Sequence, residues 1–130
     1  MTSDQQFLQN LYDAFNRREF ETLISLMKPD VKWANGMEGG FVHGRGEVRD
    51  YWKKQFEVTQ SHLEPLRFDT DKIGRNIVTA NLTVKDLQGN LLVERTIKQI
   101  FTIENGQISR FEIADSEPLH LTETLTKAGG

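Results

Sequence analysis

The chain has 130 residues, with 16 basic and 19 acidic side chains, a formal net charge of -3 and no cysteine. This length fits one domain with a substantial core, and the lack of cysteine excludes disulfides and thiolate metal sites. The longest apolar runs fall far short of the roughly 20 residues of a membrane span, and no clustered basic surface argues for nucleic acid as a partner.

We expect a cytoplasmic protein with no membrane partner. The first residues, Met1 to Asp4, have neither the basic nor the apolar region of a signal peptide. The three histidines do not form an evident metal cluster, and the spacing of a phosphate-binding loop is absent. We therefore expect neither a metal nor a cofactor.

Two helices and a short strand are predicted in the first 35 residues. Asp4 is the predicted N-cap of a helix that runs to about Arg18, because apolar side chains follow it at helical spacing. A second helix is predicted from Glu19. Pro29 is expected to end it, because proline cannot continue the hydrogen-bond ladder. Residues 31–35 then have the composition of a short strand.

The rest of the chain predicts a loop, a third helix and a meander. The glycine-rich stretch from Gly36 to Gly46 indicates a loop, and a helix with an aromatic side follows from about Glu47 to Val58. Four antiparallel strands joined by short turns are predicted at about Leu63–Ile73, Asn76–Asp86, Leu91–Ile103 and Ile108–Asp115. Because helices come first and strands last, the pattern predicts an α+β fold.

Several short motifs stand in order along these elements. They are Trp33-Ala34-Asn35-Gly36, His43-Gly44-Arg45-Gly46, Tyr51-Trp52, and Glu104-Asn105-Gly106-Gln107-Ile108 followed by Phe111 and Asp115. The set resembles the SnoaL-like and ketosteroid-isomerase-like domains of the nuclear transport factor 2-like superfamily. The resemblance covers about residues 5–115. It implies a cone-shaped α+β barrel, in which three N-terminal helices pack on a curved, mostly antiparallel sheet. We expect one domain over residues 1–130, with a tail over 116–130.

The ketosteroid isomerase mechanism does not carry over intact. The resemblance implies a general base at the position of Asn35, and an amide cannot take up a proton. The oxyanion-hole tyrosine would fall near Leu11, one position from Tyr12. The second oxyanion donor would fall at Gln99, which can still donate a hydrogen bond.

A limonene-epoxide-hydrolase mechanism is incomplete as well. The resemblance implies an arginine and an aspartate on the second meander strand, where Asn81 and Thr83 stand. Only Asp115 of that set is present. This superfold hosts enzymes of several kinds and non-catalytic binders, so the fold alone does not choose among them.

Strand alternation singles out three polar residues on apolar rows. Arg95 and Gln99 lie on an otherwise apolar face of the third meander strand, and Asp115 follows Phe111 and Ile113 on one face of the last. Buried polar groups are costly unless they are paired. Two explanations stay open, a bound ligand or an internal ion pair between Arg95 and Asp115.

Ten residues are candidates for a site. Asp115 is the candidate acid or base, with a pKa raised by apolar surroundings, and Asn35 and Gln99 are candidates to orient a carbonyl group. The candidate ligand-binding residues are Tyr12, Trp33, His43, Trp52, Phe56, Arg95 and Phe101. The alternatives are a core position for Trp33, a turn position for Asn35 and a solvated loop position for His43.

Two functions remain open. One is an enzyme that acts on a small, mostly apolar or partly polar molecule by proton transfer, as an isomerase, cyclase or lyase. The other is a non-catalytic ligand-binding or dimerising accessory domain. A homodimer is expected in either case, because the meander strands carry apolar residues on both faces, among them Ile77 and Ile100.

Overall fold

The structure is a computed structural model, and it describes residues 1–36 and 38–114. Within those residues it has three helices and six strands. In chain order they are α1 (Ser3–Asn16), α2 (Phe20–Ser25), β1 (Met27–Ala34), β2 (Phe41–His43), α3 (Gly44–Val58), β3 (Thr59–Thr70), β4 (Asn76–Asp86), β5 (Leu91–Glu104) and β6 (Gln107–Ile113). Among these residues no helix has the length and apolar character that crossing a membrane requires.

Helix α1 is bounded by its caps. Its N-cap is Thr2, so the prediction of Asp4 was wrong. The Thr2 hydroxyl accepts from the backbone N–H of Gln5 at 3.1 Å, and the Gln5 side chain accepts from the backbone N–H of Thr2 at 3.1 Å. This reciprocal capping box satisfies two backbone donors that the helix leaves free. The helix ends at Asn16, because Arg18 has the left-handed φ of 62°.

Pro29 does not end helix α2, contrary to prediction. The helix stops at Ser25, and Pro29 lies inside strand β1. The reason is tertiary: the backbone N–H of Ile108 donates to the carbonyl of Leu26 at 2.9 Å, so pairing with the end of the chain begins directly after the helix. The register of the β1–β6 pairing shifts between Met27 and Lys32, and a strand can accommodate a proline at such an irregularity.

The glycine-rich stretch contains more regular structure than predicted. Strand β2 lies within it and pairs antiparallel with β1, and helix α3 begins at Gly44 rather than Glu47. The turn between the two strands is closed by a hydrogen bond of 2.9 Å from the backbone N–H of Asn35 to the carbonyl of Gly40. Gly40 has a φ of 72°, a conformation that favours glycine.

The six strands form one sheet in the order β2-β1-β6-β5-β4-β3. All neighbours are antiparallel except β1 and β6, which are parallel. The helices pack on one face of this curved sheet, here called the inner face, and the core lies between them. The predicted α+β fold, with three helices on a curved and mostly antiparallel sheet, is confirmed.

The C-terminal end of α1 is hydrogen-bonded to the backbone of β3, the edge strand of the sheet. The side chain of Asn16 donates to the carbonyl of Leu63 at 2.8 Å and accepts from its N–H at 2.9 Å. Arg18 donates to the carbonyl of Ser61 at 2.5 Å, and its guanidinium lies 4.0 Å from the centre of the Phe56 ring. Burial lowers the pKa of Arg18. These contacts fix α1 across the inner face, where it helps to enclose the site.

Candidate functional site

A cavity of about 90 Å³ lies between the helices and the inner face of the sheet. Its wall is largely aromatic: Tyr12, Phe15, Trp33, Tyr51, Trp52, Phe101 and Phe111 line it. Among the described residues, no aspartate, glutamate, histidine, lysine or arginine lines this cavity. Apolar walls with a few polar points are the usual composition of a small-molecule pocket.

Trp33 organises the aromatic wall. Its ring stacks on Phe111 with centroids 4.2 Å apart and an interplanar angle of 28°. The ring of Trp52 meets it edge to face at 5.3 Å, and Phe101 meets it at 6.3 Å. Offset and edge-to-face contacts are the favoured geometries of aromatic pairs. Both tryptophans of the chain therefore lie on the cavity wall.

The first polar point of the cavity joins helix α1 to strand β5. The Tyr12 hydroxyl donates to the side-chain oxygen of Gln99 at 2.5 Å, and the two residues are only 2% and 7% exposed. Burial raises the pKa of Tyr12 well above its ordinary value of 10.0, so the phenol stays protonated at neutral pH. Within the described residues the amide nitrogen of Gln99 has no hydrogen-bond partner, which leaves it as a neutral donor for a ligand.

The second polar point joins helix α3 to strand β3. The side-chain amide of Gln55 donates to the hydroxyl of Ser61 at 3.0 Å, and Ser61 is 1% exposed. Both residues line the cavity. Their pairing is neutral, like that of Tyr12 with Gln99, so both described polar points can recognise hydrogen-bonding groups without placing a charge in the cavity.

Gly36 allows a close approach at one side of the wall. Its backbone N–H donates to the Tyr51 hydroxyl at 3.2 Å. A Cβ atom at this position would meet the Cδ1 atom of Ile113 at 3.3 Å and the Tyr51 hydroxyl at 3.7 Å. A larger residue would therefore have to displace Ile113, which also lines the cavity.

Five of the ten candidate residues lie on the cavity wall. They are Tyr12, Trp33, Trp52, Gln99 and Phe101. Asp115 lies outside the described residues, so its role as acid or base stays a prediction. The remaining four, Asn35, His43, Phe56 and Arg95, do not line this cavity.

Local structure explains why Asn35 and His43 lie elsewhere. The side-chain oxygen of Asn35 accepts from the backbone N–H of Glu38 at 2.9 Å, which is the turn-forming role that asparagine often has. His43 is exposed at the start of α3, and its backbone N–H donates to the Glu47 side chain at 2.9 Å. Neither side chain lines this cavity, although Asn35 lines a neighbouring groove, and the site roles of both residues stay predictions.

Phe56 does not line the cavity because it packs among other aromatic rings, and Arg95 does not line it because the residue is exposed. Phe56 packs against Phe15 and Phe20, each with centroids 5.5 Å apart, on the side of α3 that faces the other helices. Arg95 stands on the inward row of β5, as alternation predicted, but the residue is exposed. A long arginine side chain can reach water from an apolar row.

Sequence reasoning missed Gln55 and Ser61. The predicted strand began at Leu63, whereas β3 begins at Thr59, so Ser61 fell outside it. Its position two residues before Leu63 would have placed it on the same face. Gln55 lies one helical turn after Tyr51, so the spacing places both residues on the same face of α3 and could have indicated that Gln55 lines the cavity.

An open groove of about 410 Å³ adjoins the cavity between α3 and the β1–β2 hairpin. Its walls are Asn35, Glu38, Val42, Glu47, Asp50, Tyr51, Lys54, Gln55 and Val58. Tyr51 and Gln55 line both spaces, so these two side chains stand where the cavity and the groove meet.

The fold has well-matched relatives among solved structures. An NTF2-like protein from Burkholderia pseudomallei K96243 is 24% identical over 97% of each chain, with a TM-score of 0.79. TerC, co-crystallized with polyporic acid, is 22% identical over 86% of this chain and 90% of its own, with a TM-score of 0.74. A candidate polyketide cyclase from Xanthomonas campestris pv. campestris is 17% identical over 94% and 93%, with a TM-score of 0.76.

These likenesses define an NTF2-like fold around an aromatic cavity. The model of the SnoaL-like domain matches residues 8–111, and the chain belongs to that family. No curated protein matches the chain significantly. The family resemblance inferred from the motifs is therefore confirmed.

Proposed function

We propose that this protein binds a small, uncharged and largely apolar molecule in its cavity. The observation that supports this most is the composition of the wall, which combines seven aromatic rings with three neutral hydrogen-bonded pairs among the described residues. A charged ligand would lose its hydration there without gaining an opposite charge. A carbonyl oxygen would accept from the free amide nitrogen of Gln99.

The solved relatives support an organic ligand. One protein of the same fold was crystallized with polyporic acid, and another is a candidate polyketide cyclase. This chain has a cavity of its own between the helices and the inner face of the sheet, and we infer that an organic molecule would bind there.

The test uses the two tryptophans as reporters. In a ¹H–¹⁵N NMR titration with cyclohexanone, the indole N–H signals of Trp33 and Trp52 should shift together and saturate. Cyclohexylammonium, which has a ring of the same size and a positive charge, should leave them in place. The expected Kd is on the order of millimolar, since the ligand has few atoms. Unsaturable, parallel shifts with both compounds would contradict the proposal.

A matched pair of variants tests whether Gln99 is the hydrogen-bond donor to the carbonyl oxygen of the ligand. Gln99→Leu should weaken cyclohexanone binding about tenfold, which corresponds to loss of one hydrogen bond of ~1.4 kcal/mol. Gln88→Leu is the control, because Gln88 is exposed in the turn between β4 and β5. Equal affinity in both variants would exclude Gln99 as the donor.

A proton-transfer enzyme is the second candidate function. It is favoured by the pairing of Tyr12 with Gln99, because the Tyr12 hydroxyl donates to the side-chain oxygen of Gln99 and so orients the amide. The amide nitrogen of Gln99 would then be the donor to a developing oxyanion, and such electrostatic stabilisation is a common source of catalysis. Asp115, the predicted acid or base, would have to supply the proton transfer.

We expect no conversion of a β,γ-unsaturated ketosteroid. Asn35 is an amide engaged in a turn, and no described residue of the cavity is a carboxylate or an imidazole. The measurement is the rise in absorbance of the conjugated product against a buffer blank. If turnover appears, Asp115→Asn should abolish it, and turnover that survives this change would exclude Asp115 as the base.

A further inference from the structure

The cavity has room for only one end of a long ligand. Its volume is about 90 Å³, so a molecule much longer than a single small ring would have to extend beyond it. The groove next to it offers about 410 Å³. Tyr51 and Gln55 line both spaces, so the cavity and the groove adjoin at these two side chains.

We propose that the ligand is an elongated molecule whose apolar end fills the cavity and whose polar, non-anionic end lies in the groove. Tyr51 and Gln55 flank the passage between the two subsites. This inference rests on the proposed function, since it requires that the cavity is the primary binding site.

The two flanking side chains are fixed by their polar tips. They lie one turn apart on α3, so both point to the same side of the helix. The Tyr51 hydroxyl accepts from the N–H of Gly36 beside the β1–β2 turn, and the Gln55 amide donates to Ser61 on β3. These contacts direct the Tyr51 side chain toward the β1–β2 turn and the Gln55 side chain toward β3. In this proposal the ligand passes between the two side chains.

The polar groups of the two subsites differ in kind. Inside, Gln99 is only 7% exposed and stands among apolar and aromatic side chains, so the cavity suits an uncharged, largely apolar end. Outside, the groove combines Glu38, Glu47 and Asp50 with one cation, Lys54. An anionic end would meet net repulsion there, and a donor or cation would not.

The test compares three eight-carbon ligands by isothermal titration calorimetry at low ionic strength. They are n-octylammonium, n-octanol and octanoate, each below its aggregation concentration, with cyclohexanone as the ligand that fills the cavity alone. Octylammonium and octanol should bind about tenfold more tightly than octanoate. Octanol and octylammonium should also shift the backbone amide signals of the groove residues Glu38 and Glu47, and cyclohexanone should not.

Variants separate the groove from the cavity. In the double variant Glu38→Gln with Asp50→Asn, two of the carboxylates that repel octanoate are removed. The affinities of octylammonium and octanol should then exceed that of octanoate by only about threefold or less. The control is Glu57→Gln with Asp30→Asn, two exposed residues that do not line the groove, and it should keep the full preference. Cyclohexanone affinity should be equal in both double variants.

The outcomes are distinguishable. If cyclohexanone binds and the three long ligands show no dependence on end group or on the groove variants, the extended site is overturned and the cavity proposal survives. If neither cyclohexanone nor any long ligand binds, both proposals are overturned.

Discussion

Tyr12 and Gln99 show how single residues make a cavity both apolar and specific. Each side chain would cost stability if it were buried alone, because its polar atoms would lose water without a partner. Their mutual hydrogen bond of 2.5 Å gives the Tyr12 hydroxyl and the Gln99 side-chain oxygen a partner. The bond does not use the amide nitrogen of Gln99, which is the group that would donate to a ligand.

This pairing predicts strong energetic coupling. Tyr12→Phe and Gln99→Leu should each destabilise the protein by about 1–3 kcal/mol, because each leaves a buried polar group without its partner. The double variant should cost less than the sum of the two, with a coupling of about 0.5–3 kcal/mol. The measurement is the free energy of unfolding from urea titrations of all four proteins. Additive effects would show that the hydrogen bond contributes nothing to stability.

Alternation predicts the direction of a side chain from a strand. Gln99 interrupts an apolar row, and it lies on the cavity wall, while its role toward a ligand stays a prediction. Asn35 became a candidate through its position in the family, and its side chain accepts a turn hydrogen bond from the backbone N–H of Glu38. The solvent reach of Arg95 was not predictable from periodicity, because alternation gives the direction of the Cβ atom and not the position of the charge.

At the scale of elements, the sequence predicts correctly those helices and turns that depend on residues close together in the chain. Helical spacing and turn residues placed α1, α3 and the β4–β5 turn within a few residues. Pro29 in a strand and the parallel pairing of β1 with β6 were not predicted, because both depend on residues about 80 positions apart. The early start of β3, which brings Ser61 to the cavity, likewise follows from pairing with β4.

The turn between β4 and β5 predicts an acid-sensitive contribution to stability. Asp86 accepts hydrogen bonds from the Asn90 side chain, the Asn90 backbone and the Gln88 backbone, each at 2.9 Å. These bonds, led by that from the Asn90 side chain, hold the pKa of Asp86 below its ordinary value of 3.8. A lowered pKa stabilises the fold above the ordinary value, and the stabilisation is lost as the pH falls through the folded value.

The comparison that tests this is Asp86→Asn against the unchanged protein. The difference between their urea midpoints should be largest near about pH 6 and should shrink toward about pH 3, as Asp86 becomes protonated. Asp30→Asn, a change at an exposed strand position, serves as the control for the loss of one charge. A difference that stays constant across this range would contradict the role assigned to the turn.

At the scale of the whole molecule, the outer face of the sheet carries apolar residues, and the expectation of a homodimer rests on them. Ile77 and Ile100 are partners in the β4–β5 register and point away from the helices. Both are half-buried within the single chain. Apolar residues paired on an open sheet face are a usual feature of interfaces.

We propose a dimer through this face, and its mass is measurable. Sedimentation at micromolar concentration should give twice the chain mass of 15.0 kDa. Ile100→Glu should convert the dimer to single chains, because it would bury a carboxylate in the interface. Ile73→Glu should not, since Ile73 is 76% exposed in the turn after β3. A single-chain mass for the unchanged protein would refute the dimer.

The position of β6 has a consequence for the order in which the site can be assembled. This strand is inserted between β1 and β5, so until it docks the sheet exists as two separate halves. It also carries Phe111 and Ile113, which close the cavity. A nascent or partly folded chain that lacks this strand has no enclosed space to offer. Any ligand of the cavity would therefore recognise only chains in which β6 is docked, and its binding would stabilise that state over every state without the docked strand.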